Sequence, residues 1–163
     1  MAISGGVIGA WMTTRDPFWM MSAGLGGIIA TASGLDVFWL PMTFAIAFVA
    51  CAFIMPASAK FIEKMGIDDA VGAVTVHGTL GAVGLIGVGI FASGVPATAA
   101  EGATQISFIG QLIGTIVMAL IGFVPGLLFA SIFKAMGILR VSEKVERDGL
   151  DISEVPATAY PVE

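Results

Sequence analysis

Long apolar runs separated by short polar stretches dominate the chain. Three runs reach the roughly 20 mostly apolar residues that a membrane-spanning helix needs: residues 37–59, 70–92 and 106–133. A fourth run, residues 17–35, is shorter and rich in glycine, and residues 1–13 form part of a fifth. The pattern predicts an all-α membrane protein, a polytopic bundle of about four full helices with a partial helix at its N-terminus.

The composition places the chain in the same class. Hydrophobic residues make up 57% of the 163 residues and charged residues only 12%, whereas soluble domains carry about 25% charged residues. The mean hydropathy is +0.98. A soluble enzyme is therefore excluded. The sequence contains no nucleotide-binding loop, metal-ligand cluster or nucleophile arrangement, so we expect no enzymatic activity, cofactor, metal site or nucleic-acid partner.

The positive charges lie in alternate loops of the predicted bundle. All seven occur at Arg15, at Lys60 and Lys64, and at Lys134, Arg140, Lys144 and Arg147. The intervening loops, residues 34–36 and 93–105, contain no lysine or arginine. The positive-inside rule then places the N-terminus outside and the C-terminus in the cytoplasm. We therefore expect a transmembrane region over residues 1–137 and a cytoplasmic tail over residues 138–163.

His77 is the only histidine, and it lies inside an apolar run. Asp68 and Asp69 precede that run, and aspartate is a favourable helix cap because its carboxylate accepts hydrogen bonds from free N–H groups. Two carboxylates could also indicate a cation site, but a cap is the more economical interpretation. A helix beginning there would place His77 roughly 12–14 Å along its axis, near the middle of the hydrocarbon layer.

Two roles remain open for this histidine. It could form a hydrogen bond to a neighbouring helix and only hold the bundle together. Alternatively, it could line a conduction path, where an imidazole can accept or donate a proton near neutral pH. Glycines follow it at three-residue spacing, namely Gly78, Gly81 and Gly84. Small residues at this spacing are typical of closely packed membrane helices.

The stretch GIDDAVGAVTVHGTLGAVG at residues 66–84, followed by GIFA at 89–92, resembles the signature of the ammonium transporter (Amt/Rh) family around its second pore histidine. The matching positions are Asp68, Asp69, His77, Gly78, Gly81, Gly84 and Gly89. The C-terminal tail resembles the family's cytoplasmic tail at Arg140, Val141, Gly149, Leu150, Asp151 and Tyr160. Two departures stand out. Gly72 occupies a position where the family often has a third aspartate, and Val155–Ala157 replaces a His-Gly-Glu sequence.

The resemblance implies a fold and a function. The fold of that family has eleven transmembrane helices, and two inverted five-helix repeats enclose one pore. The resemblance implies that this chain corresponds to the second half of that fold. An ammonium ion would lose its proton at an outer vestibule, and ammonia would cross past two histidines, of which His77 is one. Asp68, Asp69, Gly78, Gly81 and Gly84 would support the pore. The first pore histidine and the external ammonium-recruitment site belong to the other half.

The resemblance also implies partners. These are ammonium or ammonia, the lipid bilayer of the cell membrane, an N-terminal transporter half and a homotrimeric assembly. The sequence is then either a truncated chain or a subunit that pairs with a separate N-terminal half. Gly149, Leu150, Asp151 and Tyr160 would belong to the tail that receives a PII-type regulator. The alternative is a membrane scaffold or regulatory subunit that keeps the fold without conducting and whose tail binds a cytoplasmic regulator.

Overall fold

The computed structural model describes residues 1–150, and its regular elements there are helices, apart from one β-bridge between Pro96 and Gln105. In chain order they are α1 (Ala2–Thr13), α2 (Pro17–Ala32), α3 (Leu40–Lys64), α4 (Val74–Phe91), α5 (Phe108–Ala135) and α6 (Glu143–Asp148). Three of them, α3, α4 and α5, are long and apolar enough to cross a membrane. The predicted all-α fold and its three longest spans are therefore confirmed, whereas the fourth run, residues 17–35, forms α2, an apolar helix of only 16 residues.

The start of α4 differs from the prediction. The chain makes a turn at Asp69–Gly72, closed by the N–H of Gly72 donating to the carbonyl of Asp69 at 2.8 Å. Gly72 has a φ of +69°, a left-handed conformation that glycine adopts without a steric cost. The membrane-length helix begins only at Val74. His77 is thus about 5 Å along the helix axis, and the predicted distance of 12–14 Å was wrong.

Contacts divide the chain into two units, the first being Met1–Ala119 and the second beginning at Leu120. The interior of the first unit contains mostly small side chains. Cys51, Met55 and Leu80 are fully buried, together with Ala10, Ala23, Ala30 and Ala50. Such small residues allow helix backbones to approach each other closely.

Glycines make the closest helix contacts in this unit. A Cβ atom on Gly6 of α1 would overlap the carbonyl oxygen of Ala23 on α2, and one on Gly27 of α2 would overlap that of Ala2. Gly9 of α1 lies against α3, where a Cβ atom would stand 2.5 Å from the carbonyl oxygen of Phe48. The backbones of α1, α2 and α3 are therefore in direct contact.

Two stretches of the long helices are π-helical. They are Ala50–Ile54 within α3 and Val74–Thr79 at the start of α4. A π-helix has i→i+5 hydrogen bonds in place of the i→i+4 bonds of an α-helix, and short π segments are frequent at functional sites. The second of these segments contains His77.

The loops of the first unit alternate between two ends of the bundle. At one end Phe38 packs with Val88 and Ala92, and Ile106 joins them, so the connections after α2 and α4 lie together. At the other end Asp16, Lys60 and Asp68 line one cleft, which brings together the connections after α1 and α3. The end that contains Arg15, Lys60 and Lys64 is thus separate from the end whose loops contain no cation.

The second unit comprises the rest of α5 and the segment that leads to α6. The helix α5 continues through Pro125 without a break. Ser142 caps α6 by accepting the N–H of Val145. Two exposed ion pairs, Arg140–Glu146 and Arg147–Glu143, brace this short helix.

Candidate functional site

His77 lies on the outer surface of the first unit. Its side chain is exposed, whereas Thr75, Val76 and Leu80 of the same helix are buried against the bundle. An ionisable side chain on the surface of a membrane-length helix is costly in lipid and usually faces another protein segment or a water-filled cavity. The structure therefore presents His77 outward, and the bundle core of residues 1–119 does not enclose it.

Asp69 caps the π turn that contains His77. Its Oδ1 atom accepts the N–H of Val74 and its Oδ2 atom accepts the N–H of Thr75, both at 3.1 Å. Both carboxylate oxygens thus satisfy N–H groups that the first turn of a helix leaves free. The sequence predicted an aspartate cap directly at the helix start, whereas Asp69 reaches the first turn from the other side of the turn at Asp69–Gly72. Asp68 is exposed and lines the neighbouring cleft.

Gly72 occupies a turn that leaves little room for a side chain. Its φ is +69°, and a Cβ atom there would stand 3.1 Å from Cζ3 of Trp19 on α2. A side chain at this position would have to adopt a strained backbone conformation and displace the indole ring. The indole thus occupies space beside the turn, and Asp69 alone supplies the cap.

A hydroxyl pair joins the other end of the π turn to α3. The Oγ atom of Ser58 and the Oγ1 atom of Thr79 are 2.7 Å apart and partly buried. Neither residue stands out in the sequence, because serine and threonine are common in membrane helices and their spacing of 21 positions follows no motif. Only the packing of α3 against α4 brings them together.

A cleft of about 1170 Å³ opens beside the cap of α4. Its lining includes four acidic residues and one basic residue, namely Asp16, Glu63, Asp68, Asp69 and Lys60. Thr75 also lines the cleft, and its hydroxyl is buried and has no hydrogen-bond partner among the described residues. A threonine in a helix usually donates to the carbonyl four residues earlier. For Thr75 that residue is Val71, which precedes the helix.

The glycines that follow His77 have different surroundings. A Cβ atom on Gly84 would stand 3.1 Å from the carbonyl oxygens of Ala30 and Ile29, so this residue lies in tight contact with α2. Gly81 has only ordinary contacts, and Gly78 is exposed beside the histidine. Of these three glycines, Gly84 therefore makes the closest contact with another helix.

The tail residues are partly within the described region. Gly149 ends α6 with a φ of +92°, and its N–H donates to the carbonyl of Val145 at 2.9 Å. Leu150 is exposed. Asp151 and Tyr160 lie outside the described residues, so the structure describes only the first part of the predicted tail signature.

Comparison with known proteins agrees with the sequence signature. A family model described as the Ammonium Transporter Family matches residues 1–160. All of this chain aligns with 41% of the Ammonium transporter Amt1 of Methanocaldococcus jannaschii at 37% identity, and with 38% of Amt2 of the same organism at 38% identity. An Amt2 of Archaeoglobus fulgidus is 36% identical over 85% of this chain. The chain thus spans about two fifths of the length of the first two relatives. No solved structure matches.

Proposed function

Because the chain belongs to the ammonium transporter family, we propose that it forms the half of an ammonium pathway that contains His77. The observation that supports this role is the outward position of the imidazole on a membrane-length apolar helix. Asp69 holds the turn that contains it. A histidine that only stabilised the bundle would be expected to face the core, as Thr75 and Leu80 do.

The chemistry of the surroundings favours neutral ammonia as the species that crosses. An ion that lacks partners is costly to transfer into an apolar layer, whereas a small neutral molecule needs only one hydrogen-bond partner along the way. An imidazole can serve as that donor or acceptor, and it can exchange a proton near neutral pH. In this mechanism the ammonium ion loses its proton before ammonia passes His77.

His77 would act with groups from outside this chain. The family resemblance assigns a second pore histidine and the ammonium-recruitment site to an N-terminal half. An exposed imidazole on α4 is available to such a partner. We therefore propose that the conducting unit combines residues 1–137 with an N-terminal half and that complete units assemble as homotrimers.

The separation of charge between the two ends of the bundle supports an orientation. Arg15, Lys60 and Lys64 belong to the end with the acidic cleft, which would face the cytoplasm of a cell membrane. The N-terminus would then lie outside and residues 138–163 inside. There the exposed side chains of α6 and Leu150 would be accessible to a PII-type regulator.

Ammonium flux into proteoliposomes tests this proposal. The chain is reconstituted alone and together with the N-terminal half of a related transporter, each with His77 or with His77→Ala. We expect flux only with the partner half, and a large loss on replacement of His77. Thr98→Ala, a change in an exposed loop, is the matched control and should conduct normally.

Any other outcome of the flux experiment would contradict a specific part of the proposal. Flux from the chain alone would mean that copies of this chain assemble a pore, which contradicts the proposed pairing. Flux that survives His77→Ala would remove the histidine from the pathway. A folded pair without flux would favour the non-conducting scaffold.

A further inference from the structure

The hydroxyl pair Ser58–Thr79 lies directly behind the π turn that contains His77. Thr79 is the last residue of that turn, and its hydroxyl is 2.7 Å from that of Ser58 on α3. We propose that Ser58 and Thr79 are positioning residues, which hold the imidazole of His77 in the direction that conduction requires. This inference rests on the proposed role of His77 in the pathway.

The two faces of the turn explain how such a pair can act on the histidine. His77 and Thr79 are two positions apart, which corresponds to roughly half a turn of a helix. Accordingly, Thr79 is partly buried toward α3 while His77 is exposed. A hydrogen bond from Thr79 to α3 therefore limits how far the π turn can rotate about the helix axis, and this limit also fixes the direction of His77.

A π turn requires such a restriction because an alternative hydrogen-bond register is close by. Its i→i+5 bonds compete with the i→i+4 bonds of the α-helix, and a change of one residue in register turns a side chain by about 100°. A turn that relaxed to α-helix would direct His77 elsewhere. The Asp69 carboxylate holds the beginning of the turn, and Ser58 holds its end.

The apolar surroundings favour a hydrogen bond between the hydroxyl groups of Ser58 and Thr79. A hydroxyl inside a membrane bundle is stabilised by a protein partner, because burial of an unpaired polar group away from water costs free energy. Two other helical threonines bond to their own helix, since Thr115 donates to the carbonyl of Gln111 at 2.8 Å and Thr31 to that of Gly27 at 2.9 Å. Thr79 instead bonds to a side chain on another helix, which ties two spans together at this point.

Nuclear magnetic resonance of the only histidine tests the positioning directly. The full chain, labelled with ¹⁵N at histidine, gives one imidazole spectrum in lipid nanodiscs, since His77 has no other histidine to overlap with. Thr79→Val removes the hydroxyl and keeps the branched shape, while Ser58→Ala removes the partner. We expect both variants to shift the His77 signals or split them into two forms, and the double variant to add no further change.

Amide hydrogen exchange of residues 74–79 gives a second measurement on the same samples. Loss of one interhelical hydrogen bond should speed exchange about threefold. Thr79→Ser keeps a hydroxyl and should restore both the spectrum and the protection. Thr115→Val is the matched control, because it deletes a hydroxyl that bonds within its own helix, and it should leave His77 unchanged. Unaltered His77 signals in both Thr79→Val and Ser58→Ala would overturn the inference.

Flux separates this inference from the proposed function. In the reconstituted pair, Thr79→Val and Ser58→Ala should lower flux, and Thr79→Ser should restore it. If His77→Ala abolishes flux while Thr79→Val changes neither flux nor the His77 spectrum, the positioning role alone fails. If the spectrum changes as expected but His77→Ala conducts normally, the proposed function fails.

Discussion

The indole ring of Trp19 lies against Gly72, where a Cβ atom would stand 3.1 Å from its Cζ3 atom. Trp19 belongs to α2 and Gly72 to the turn before α4. This contact links the start of the helix that contains His77 to a neighbouring helix. The positive φ of Gly72 and the crowding by the indole ring together favour glycine at this position of the chain.

Replacing Gly72 by alanine or aspartate should destabilise the bundle. The left-handed φ of +69° costs a residue with a side chain about 1–2 kcal/mol, and crowding against Trp19 adds to that cost. The free energy of unfolding, measured by detergent denaturation, reports the loss. Gly66→Ala is the matched control, because Gly66 has a φ of +74° but no atom within 4 Å of the added Cβ. Equal losses at the two positions would show that Trp19 contributes nothing.

Replacing Gly6 by alanine should force α1 and α2 apart. The added Cβ atom would overlap the carbonyl oxygen of Ala23, and overpacking of this kind typically costs about 1–3 kcal/mol. The same denaturation experiment measures the change. Gly87→Ala is the control, because a Cβ atom there meets nothing within 4 Å, and helix propensity favours alanine by up to about 1 kcal/mol. A Gly6→Ala chain as stable as the original would contradict the close contact.

Replacing Asp69 by alanine should loosen the first turn of α4. The change removes the acceptors of the Val74 and Thr75 N–H groups, and the loss of a cap costs about 0.5–2 kcal/mol. Hydrogen exchange of these two amides should become faster, and Asp69→Asn should give an intermediate result, because asparagine keeps one oxygen acceptor. The exposed Asp68 is the comparison site. If Asp68→Ala has the same effect as Asp69→Ala, the cap is assigned to the wrong residue.

Cysteine labelling tests the orientation. The native Cys51 is fully buried, so a membrane-impermeant maleimide should leave the unmodified folded chain unlabelled. A cysteine at Thr98 (Thr98→Cys) should react in intact cells. A cysteine at Glu63 (Glu63→Cys), in the connection that the charges place inside, should react only after the membrane is permeabilised. The reverse pattern would invert the topology.

The helical spans were readable from the sequence because lipid imposes a length and a composition on each of them. The runs at 37–59, 70–92 and 106–133 correspond to α3, α4 and α5 within a few residues at most ends. The start of α4 was missed because the apolar run begins before the helix does. Ala70 and Val71 are apolar, yet Gly72 takes a left-handed turn there, and hydropathy does not report backbone conformation.

The sequence by itself determined the membrane class, the order of the apolar spans, the distribution of charge and the presence of a single histidine, His77, inside one of the spans. These properties follow from composition and from local spacing. Tertiary structure decided that His77 faces outward on a π turn, that Trp19 packs on Gly72 and that Ser58 meets Thr79. The last two relationships join residues far apart in the chain, and they depend on the packing of helices whose small side chains let the backbones come into contact.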